Sequence, residues 1–196
     1  MSERLMNALE EVKTLPVITL GNIVDRIQEE ALIILCLISI LPFMQPIPIP
    51  GLSSVLGLIA FLQGVGLLLW SKPLLTQRLK LVNISHERFE KIYKAAAKFC
   101  EYTHKISLVK SNHVNSRLSH ILCGVSIILS AGFLSLPLPI PFSNFIPALS
   151  IFFICIGLLE CDLVLVLLGH GVTATVIWMA IFSYHLILDQ VQNWFF

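Results

Sequence analysis

Between Ala31 and Ser71, and again between Leu118 and Leu159, the chain contains no Asp, Glu, Lys or Arg. Uncharged stretches of that length exclude a soluble surface, which needs ionised groups to face water. Charge is scarce throughout: 13% of the 196 residues are charged, 56% are hydrophobic, and the mean hydropathy is +0.85. No Lys or Arg follows Arg117. The five cysteines, Cys36, Cys100, Cys123, Cys155 and Cys161, include no C-x-x-C pair, which leaves them as small buried hydrophobes. There is no G-x-x-x-x-G-K-[ST] loop, no G-x-S-x-G and no H-E-x-x-H. The first thirty residues mix charges of both signs and hold no apolar core, so no cleavable signal peptide is expected. The length leaves room for a single membrane domain, residues 1–196, and none for a separate soluble enzyme domain.

Each uncharged stretch is broken near its middle by a proline tract. The first reads Pro46-Ile47-Pro48-Ile49-Pro50 and the second Pro137-Leu138-Pro139-Ile140-Pro141. Proline has no backbone N–H, so neither tract is an ordinary helix interior and each is a structural turn. An offset of 91 residues superposes Arg26 on Arg117, Ser39 on Ser130, all three prolines, and Leu58, Phe61 and Gly66 on Leu149, Phe152 and Gly157. Duplicated apolar segments mark transporter-like folds. The leading arms, Ala31–Met44 and Ile121–Leu134, are fourteen residues each. As helices they reach roughly 21 Å, against a hydrocarbon core of about 30 Å. Two architectures fit: hairpins that span, with the prolines at the far surface, and re-entrant hairpins with the prolines near mid-membrane. The short arms favour the second, in which protein or a wet cavity must cover the irregular backbone.

The expected fold is all-α and polytopic: two repeated proline-broken helical hairpins, an amphipathic linker helix and a C-terminal spanning helix. Repeat one covers about 19–79, the linker helix about 84–110, repeat two about 117–162 and the final helix 163–188. Residues 3–15 read as a short surface helix with Leu5, Leu9 and Val12 on one face, ended by Pro16. The linker helix has an apolar stripe through Phe89, Tyr93, Ala96 and Cys100, and three Glu-to-Lys i,i+4 pairs on its polar side. That stripe suits a membrane surface or a second subunit. Alternating charge signs argue against nucleic-acid binding. Ser53, Gly57, Ala60 and Gly64 form a small-residue face suited to close helix packing, and with it a homodimer or larger homo-oligomer. The final helix carries a Gly169-His170-Gly171 step where it could bend, Asp189-Gln190 as its cap, and Trp194-Phe195-Phe196 as an interfacial anchor.

Six polar residues are candidates for function. Glu160 and Asp162 close the second hairpin, where ionisable groups at lipid are costly and often functional. They read either as a carboxylate pair on a proton or substrate path, or as helix caps facing Arg117 or Arg26. Arg26 and Arg117 stand at the two hairpin mouths. Gln63 interrupts an apolar arm, placed to bond a proline-tract carbonyl or line a cavity. His120, His170 and His185 lie in apolar context without metal-like spacing, and His170, between two glycines, stands out. No metal site and no cofactor is expected.

These residues resemble the ExoD family of bacterial exopolysaccharide-synthesis membrane proteins, from about Thr19 to the C-terminus. The similarity runs through Thr19-Leu20-Gly21-Asn22-Ile23-Val24-Asp25-Arg26, the first proline tract, the Gln63…Gly66…Trp70 run, the second tract with Pro147-Ala148-Leu149, and Gly157-Leu158-Leu159-Glu160-Cys161-Asp162. That last segment usually ends in Glu-Arg-Asp-Gly in the family; Cys161 and Leu163 stand in place of its Arg and Gly. Trp70-Ser71-Lys72-Pro73 likewise stands where Pro-Trp-Leu-Pro is usual. The resemblance implies the bacterial inner membrane, a role in exopolysaccharide production or export, possible contact with that machinery, and no particular reaction. A transporter-like or accessory protein is the first expectation. A scaffold built on the linker helix is the second, and an intramembrane enzyme acting on a lipid-linked sugar or phosphate through Glu160 and Asp162 the third.

Ten of the thirteen Lys and Arg lie between Lys72 and Arg117, and the other three are Arg4, Lys13 and Arg26. The positive-inside bias therefore puts the N-terminus and the linker in the cytoplasm and the C-terminus in the periplasm. Impermeant thiol labelling of intact cells should reach a Gln192→Cys variant and miss Lys94→Cys, each in a background without native cysteines. Labelling of Lys94→Cys alone would reverse the topology.

Overall fold

The computed structural model describes residues 2–44, 52–69, 81–136 and 143–195. Among these residues the fold is all-helical, with seven α-helices and two short 3₁₀ turns. Helix α1 is Ser2–Lys13, α2 Leu20–Ile40, α3 Leu52–Leu68, α4 His86–Ile106, α5 Arg117–Leu134, α6 Phe145–Glu160 and α7 Leu163–Phe195. Both proline tracts, with Pro46, Pro48, Pro50, Pro137, Pro139 and Pro141, lie outside the described residues.

The helices start where the sequence supplies caps. The Thr19 hydroxyl accepts the Asn22 N–H at 3.1 Å, so α2 begins well before the uncharged stretch. Its axis turns by 109° between Leu20–Ile27 and Glu30–Met44. Ser116 caps α5, which takes in Arg117 and His120 and reaches 18 residues, four more than the apolar arm read from the sequence. Helix α7 runs unbroken through Gly169-His170-Gly171 and past the expected cap at Asp189-Gln190. Asp and Gln cost a helix only a few tenths of a kcal/mol, and no Gly or Pro follows to stop it.

Two packed clusters result. The first joins α1, the start of α2 and α4. Leu5, Leu9 and Val12 of α1 bury against Ile23 and Ile27 of α2 and Phe89 of α4. The face expected at a surface is thus covered within the chain. So is much of the α4 stripe, since Tyr93, Ala96 and Cys100 pack on the same cluster. Backbone bonds from Leu20 to Val82 and from Ile84 to Ile18 stitch the two ends together. An ion pair between Lys13 and Glu90, at 2.8 Å, and a hydrogen bond from the Tyr93 hydroxyl to Glu10, at 3.0 Å, lie on the outside.

The second cluster is the apolar bundle of late α2, α3, α5, α6 and α7. Its helices cross at glycines. A Cβ on Gly124 of α5 would stand 3.1 Å from the Gly64 carbonyl and 3.0 Å from the Leu68 nitrogen of α3. Gly57 meets Ser135 in the same way. The small face of α3 is therefore filled by α5 of the same chain. Gly169 of α7 faces Ile154 and the Ser150 carbonyl of α6. Without a hydrophobic drive between helices in lipid, this close backbone approach is what holds them.

Two helical segments, Arg117–Leu134 and Leu163–Tyr184, are long and apolar enough to cross a membrane, and the bent pair in α2 would make a third. Helices α3 and α6 are shorter apolar helices of 17 and 16 residues. The outward faces carry Val55 and Leu62 on α3, Leu122 and Leu129 on α5, and Leu167, Trp178 and Phe182 on α7, all exposed. A continuous apolar exterior of this kind suits lipid rather than water.

Two glycines on one turn of α7 separate packing from propensity. Gly169→Ala drives a methyl onto α6 backbone and should cost about 1–3 kcal/mol. A Cβ at Gly171 meets nothing within 4 Å. Gly171→Ala should therefore be neutral or stabilise by up to about 1 kcal/mol. Thermal unfolding in detergent gives the order directly; equal effects of the two variants would refute the α6–α7 crossing.

Candidate functional site

Helices α6 and α7 are joined by two residues, Cys161 and Asp162. Cys161 adopts φ 55° and ψ 39°, the left-handed region that a residue with a Cβ enters at a cost of about 1 kcal/mol. In return the Asp162 N–H bonds the Gly157 carbonyl at 2.8 Å and the Cys161 N–H bonds that of Leu158 at 3.3 Å. This is the Schellman pattern, which satisfies the last carbonyls of α6.

The Asp162 side chain is fully buried. Its Oδ1 accepts the N–H groups of Val164 at 2.8 Å and Leu165 at 3.0 Å, so it is the N-cap of α7. Its Oδ2 accepts the Ser107 hydroxyl at 3.0 Å, the Val109 N–H at 2.8 Å and the Leu108 N–H. Three of its five donors thus come from the extended chain that follows α4. Leu163 N–H to Val109 O and Ser111 N–H to Cys161 O add two backbone bonds to the same junction. Burial works to raise the Asp162 carboxyl, but the N–H groups of Leu165, Val109 and Leu108 and the Ser107 hydroxyl outweigh it and hold it below the ordinary aspartate value.

Glu160 makes the second attachment. Its Oε1 accepts the Thr103 hydroxyl at 2.5 Å, and His104 Nδ1 lies 3.5 Å from its Oε2. The carboxylate is inaccessible to solvent, whereas the imidazole above it is 60% exposed. Burial, and then the Glu160 charge, raise the Cys100 thiol, so it stays protonated and unreactive. Asp162 caps α7, and both carboxylates also fasten the end of α4 to the α6–α7 turn.

The other candidates are dispersed. Arg26 pairs with Glu11 of α1. Arg117 lines a cavity of about 160 Å³ with Leu67, Leu68, Leu69, His120 and Ile121. Gln63 is half-buried on α3. His170 Nδ1 meets the Ser126 hydroxyl at 2.8 Å, joining α7 to α5. One turn deeper, Ser130 donates to Ser150 at 3.1 Å, and Ser150 lies 2.7 Å from Thr173 Oγ1. This ladder across α5, α6 and α7 was missed in the sequence, where its one signal was small polar residues recurring inside apolar helices. Thr103, His104 and Ser107 were missed as well, since nothing local marks a partner more than fifty residues away. Among the described residues no group of three His, Cys, Asp or Glu is placed to hold a metal.

The chain matches the family model described as "Exopolysaccharide synthesis, ExoD" over residues 1–182. Protein ExoD of Rhizobium meliloti is 27% identical over 170 residues, which cover 85% of this chain and 71% of that protein. An uncharacterized protein of Synechocystis sp. is 31% identical over 151 residues, 75% of this chain and 69% of its relative. No solved structure matches the chain.

Asp162→Asn tests the junction. Whichever way the amide turns, its NH₂ faces two backbone N–H donors, and the loss should be about 2–3 kcal/mol. Glu160→Gln keeps a carbonyl for Thr103 and should lose less than about 1 kcal/mol. Because its folded pKa is depressed, the Asp162 charge stabilises fully above the unfolded value of about 4 and loses that effect as pH falls through the folded value. The gap in thermal midpoint between wild type and Asp162→Asn should stay constant from about pH 5 to 8 and narrow only below about pH 4. A gap that closes near neutrality would show that the carboxylate is not held as described.

Proposed function

This chain belongs to the ExoD family, and from that membership we propose that it is a multi-pass protein of the bacterial inner membrane that supports exopolysaccharide synthesis or export. Its role in this reading is accessory or transporter-like, with no reaction of its own. The observation that carries it is the fastening of α4 to the bundle by Glu160 and Asp162. Both carboxylates are buried against fixed donors of the linker, which favours attachment over acid–base chemistry. The linker is cytoplasmic by its charge, so α1 and α4 form a cytoplasmic head fixed to the membrane bundle at one turn. Movement of that head, or a partner bound to it, would be transmitted to α6 and α7.

The hairpins are the two halves of an internal repeat. The offset of 91 residues that aligns the prolines carries Leu52–Leu68 of α3 to within two residues of Phe145–Glu160 of α6. In this reading both hairpins are re-entrant from the cytoplasmic side, while α7, at 33 residues and roughly 50 Å, clears the bilayer with length to spare. A second copy of the chain would cover the exposed apolar length of α7 and give the homo-oligomer.

The test is genetic. Deleting the native copy should lower secreted polysaccharide, and the full chain should restore it. Glu160→Gln at normal membrane level should restore most of it, because the attachment persists without the charge. A proton path through Glu160 would instead leave that variant inactive, and a deletion without effect on polysaccharide would refute the role altogether.

A further inference from the structure

Helix α4 carries a second apolar row beside the one that packs on α1. Ile92, Phe99 and Ile106 recur every seven residues and so lie along one line of the helix, with Tyr102 about a turn from each end of its second half. Phe99 packs partly on the apolar bundle, so the row faces the bundle side of α4. To either side of Phe99 the row is open: Ile92, Tyr102 and Ile106 are 44%, 56% and 52% exposed. The extended chain continues it through Leu108 and Val109, also exposed, and the Leu163 N–H bonds the Val109 carbonyl. Leu167 and Leu168, exposed on α7, follow about one turn later. A lysine precedes each member of the row: Lys91, Lys98 and Lys105, all exposed. Lys91 pairs with Glu87 and Lys105 with Glu101, each at 2.8 Å and within the helix. Lys98 and Lys105 also flank the Tyr102 ring, at 6.0 and 5.6 Å from its centre.

We propose that this row seats α4 on the anionic lipid surface of the cytoplasmic leaflet. Ile92, Tyr102 and Ile106 enter the boundary between headgroups and acyl chains, and the lysines beside them reach back to the phosphates. Their ion pairs do not prevent this. Pairs as exposed as these hold weakly, and an ammonium has three donors to share between a carboxylate and a phosphate. The Tyr102 ring, with its polar tip and flanking cations, suits headgroup depth. The face is continuous with the apolar exterior of the bundle through Leu108 and Val109, which places it at the membrane edge. From Ile92 to Ile106 the row is roughly 21 Å long, so α4 is held along its length by lipid and at its end by Asp162 and Glu160. The anionic lipid content of the leaflet would then act on α6 and α7 through that junction. The inference rests on the cytoplasmic, membrane-edge placement of the linker and is independent of any role in polysaccharide synthesis.

The experiment uses the full chain, without native cysteines, in nanodiscs of phosphatidylcholine with and without phosphatidylglycerol. An NBD fluorophore is placed in turn at Ile106→Cys, Glu101→Cys and Leu167→Cys, and quenched by lipids spin-labelled in the acyl chain. The Leu167→Cys probe on α7 should be quenched in both discs, and the Glu101→Cys probe in neither. Quenching at Ile106→Cys should rise about threefold or more with phosphatidylglycerol. Replacing Lys91, Lys98 and Lys105 together by Gln should abolish that rise and leave Leu167→Cys unchanged. Ile106→Cys quenched no more than Glu101→Cys, or a rise that survives the triple replacement, would overturn the proposal while the membrane reading stands. So would an Ile106→Cys probe shielded from both the lipid quencher and aqueous iodide, since a second protein would then cover the row. A Leu167→Cys probe unquenched in both discs would overturn the membrane reading and this inference with it.

Discussion

A carboxylate shut away from water must be surrounded by donors that do not move, and Asp162 is surrounded by five. Two come from the first turn of α7 and three from the chain that leaves α4. The same residue closes the Schellman turn that lets Cys161 hold a left-handed conformation. One side chain therefore ends α6, starts α7 and ties down the linker. Remove its charge and each of those three elements loses a partner at once, which is why the junction behaves as a unit rather than as a sum of bonds. Glu160 extends the attachment one turn back along α6 to Thr103 and His104.

The bundle beyond that junction is held by different physics. Lipid offers apolar side chains no less than a neighbouring helix does, so area burial cannot drive assembly there. What remains is close packing and internal hydrogen bonding. The glycine crossings supply the first, with Gly124 on Gly64 and Gly169 on Ile154. The Ser130–Ser150–Thr173 ladder and the Ser126–His170 contact supply the second. Both devices place α5, α6 and α7 in one register, and that register fixes where the α6–α7 turn presents its acids to the linker.

The one-dimensional pattern made some of this legible. Uncharged stretches gave the apolar arms, Pro16 marked the end of the first helix, and Leu5, Leu9 and Val12 marked a face that does bury. The sequence could not say what covers a face. The α4 stripe suited a membrane surface or a second subunit as well as it suits α1, and the Ser53/Gly57/Ala60/Gly64 face suited another copy as well as α5. Periodicity reports that a surface is apolar or small; the partner is set by chain topology. The same limit hid the site. Glu160 and Asp162 were visible as isolated acids at an apolar edge, but Thr103 and Ser107 are ordinary hydroxyl residues until the fold brings them more than fifty positions down the chain.

Arg26 and Arg117, at the mouths of the two proposed hairpins, have different surroundings. In the proposed repeat they occupy one position, and in an unspecialised ancestor they would have the same surroundings. Here the first hairpin follows a charged helix, and Glu11 of that helix engages Arg26, so the first arginine serves to seat α1 on α2. The second hairpin follows α4, whose end is already bound by Asp162 and Glu160. Arg117 borders a cavity with His120 and three leucines. The first half thus carries the head of the molecule. The second carries the attachment of that head, so a movement of α4 would act directly on the facing ends of α6 and α7.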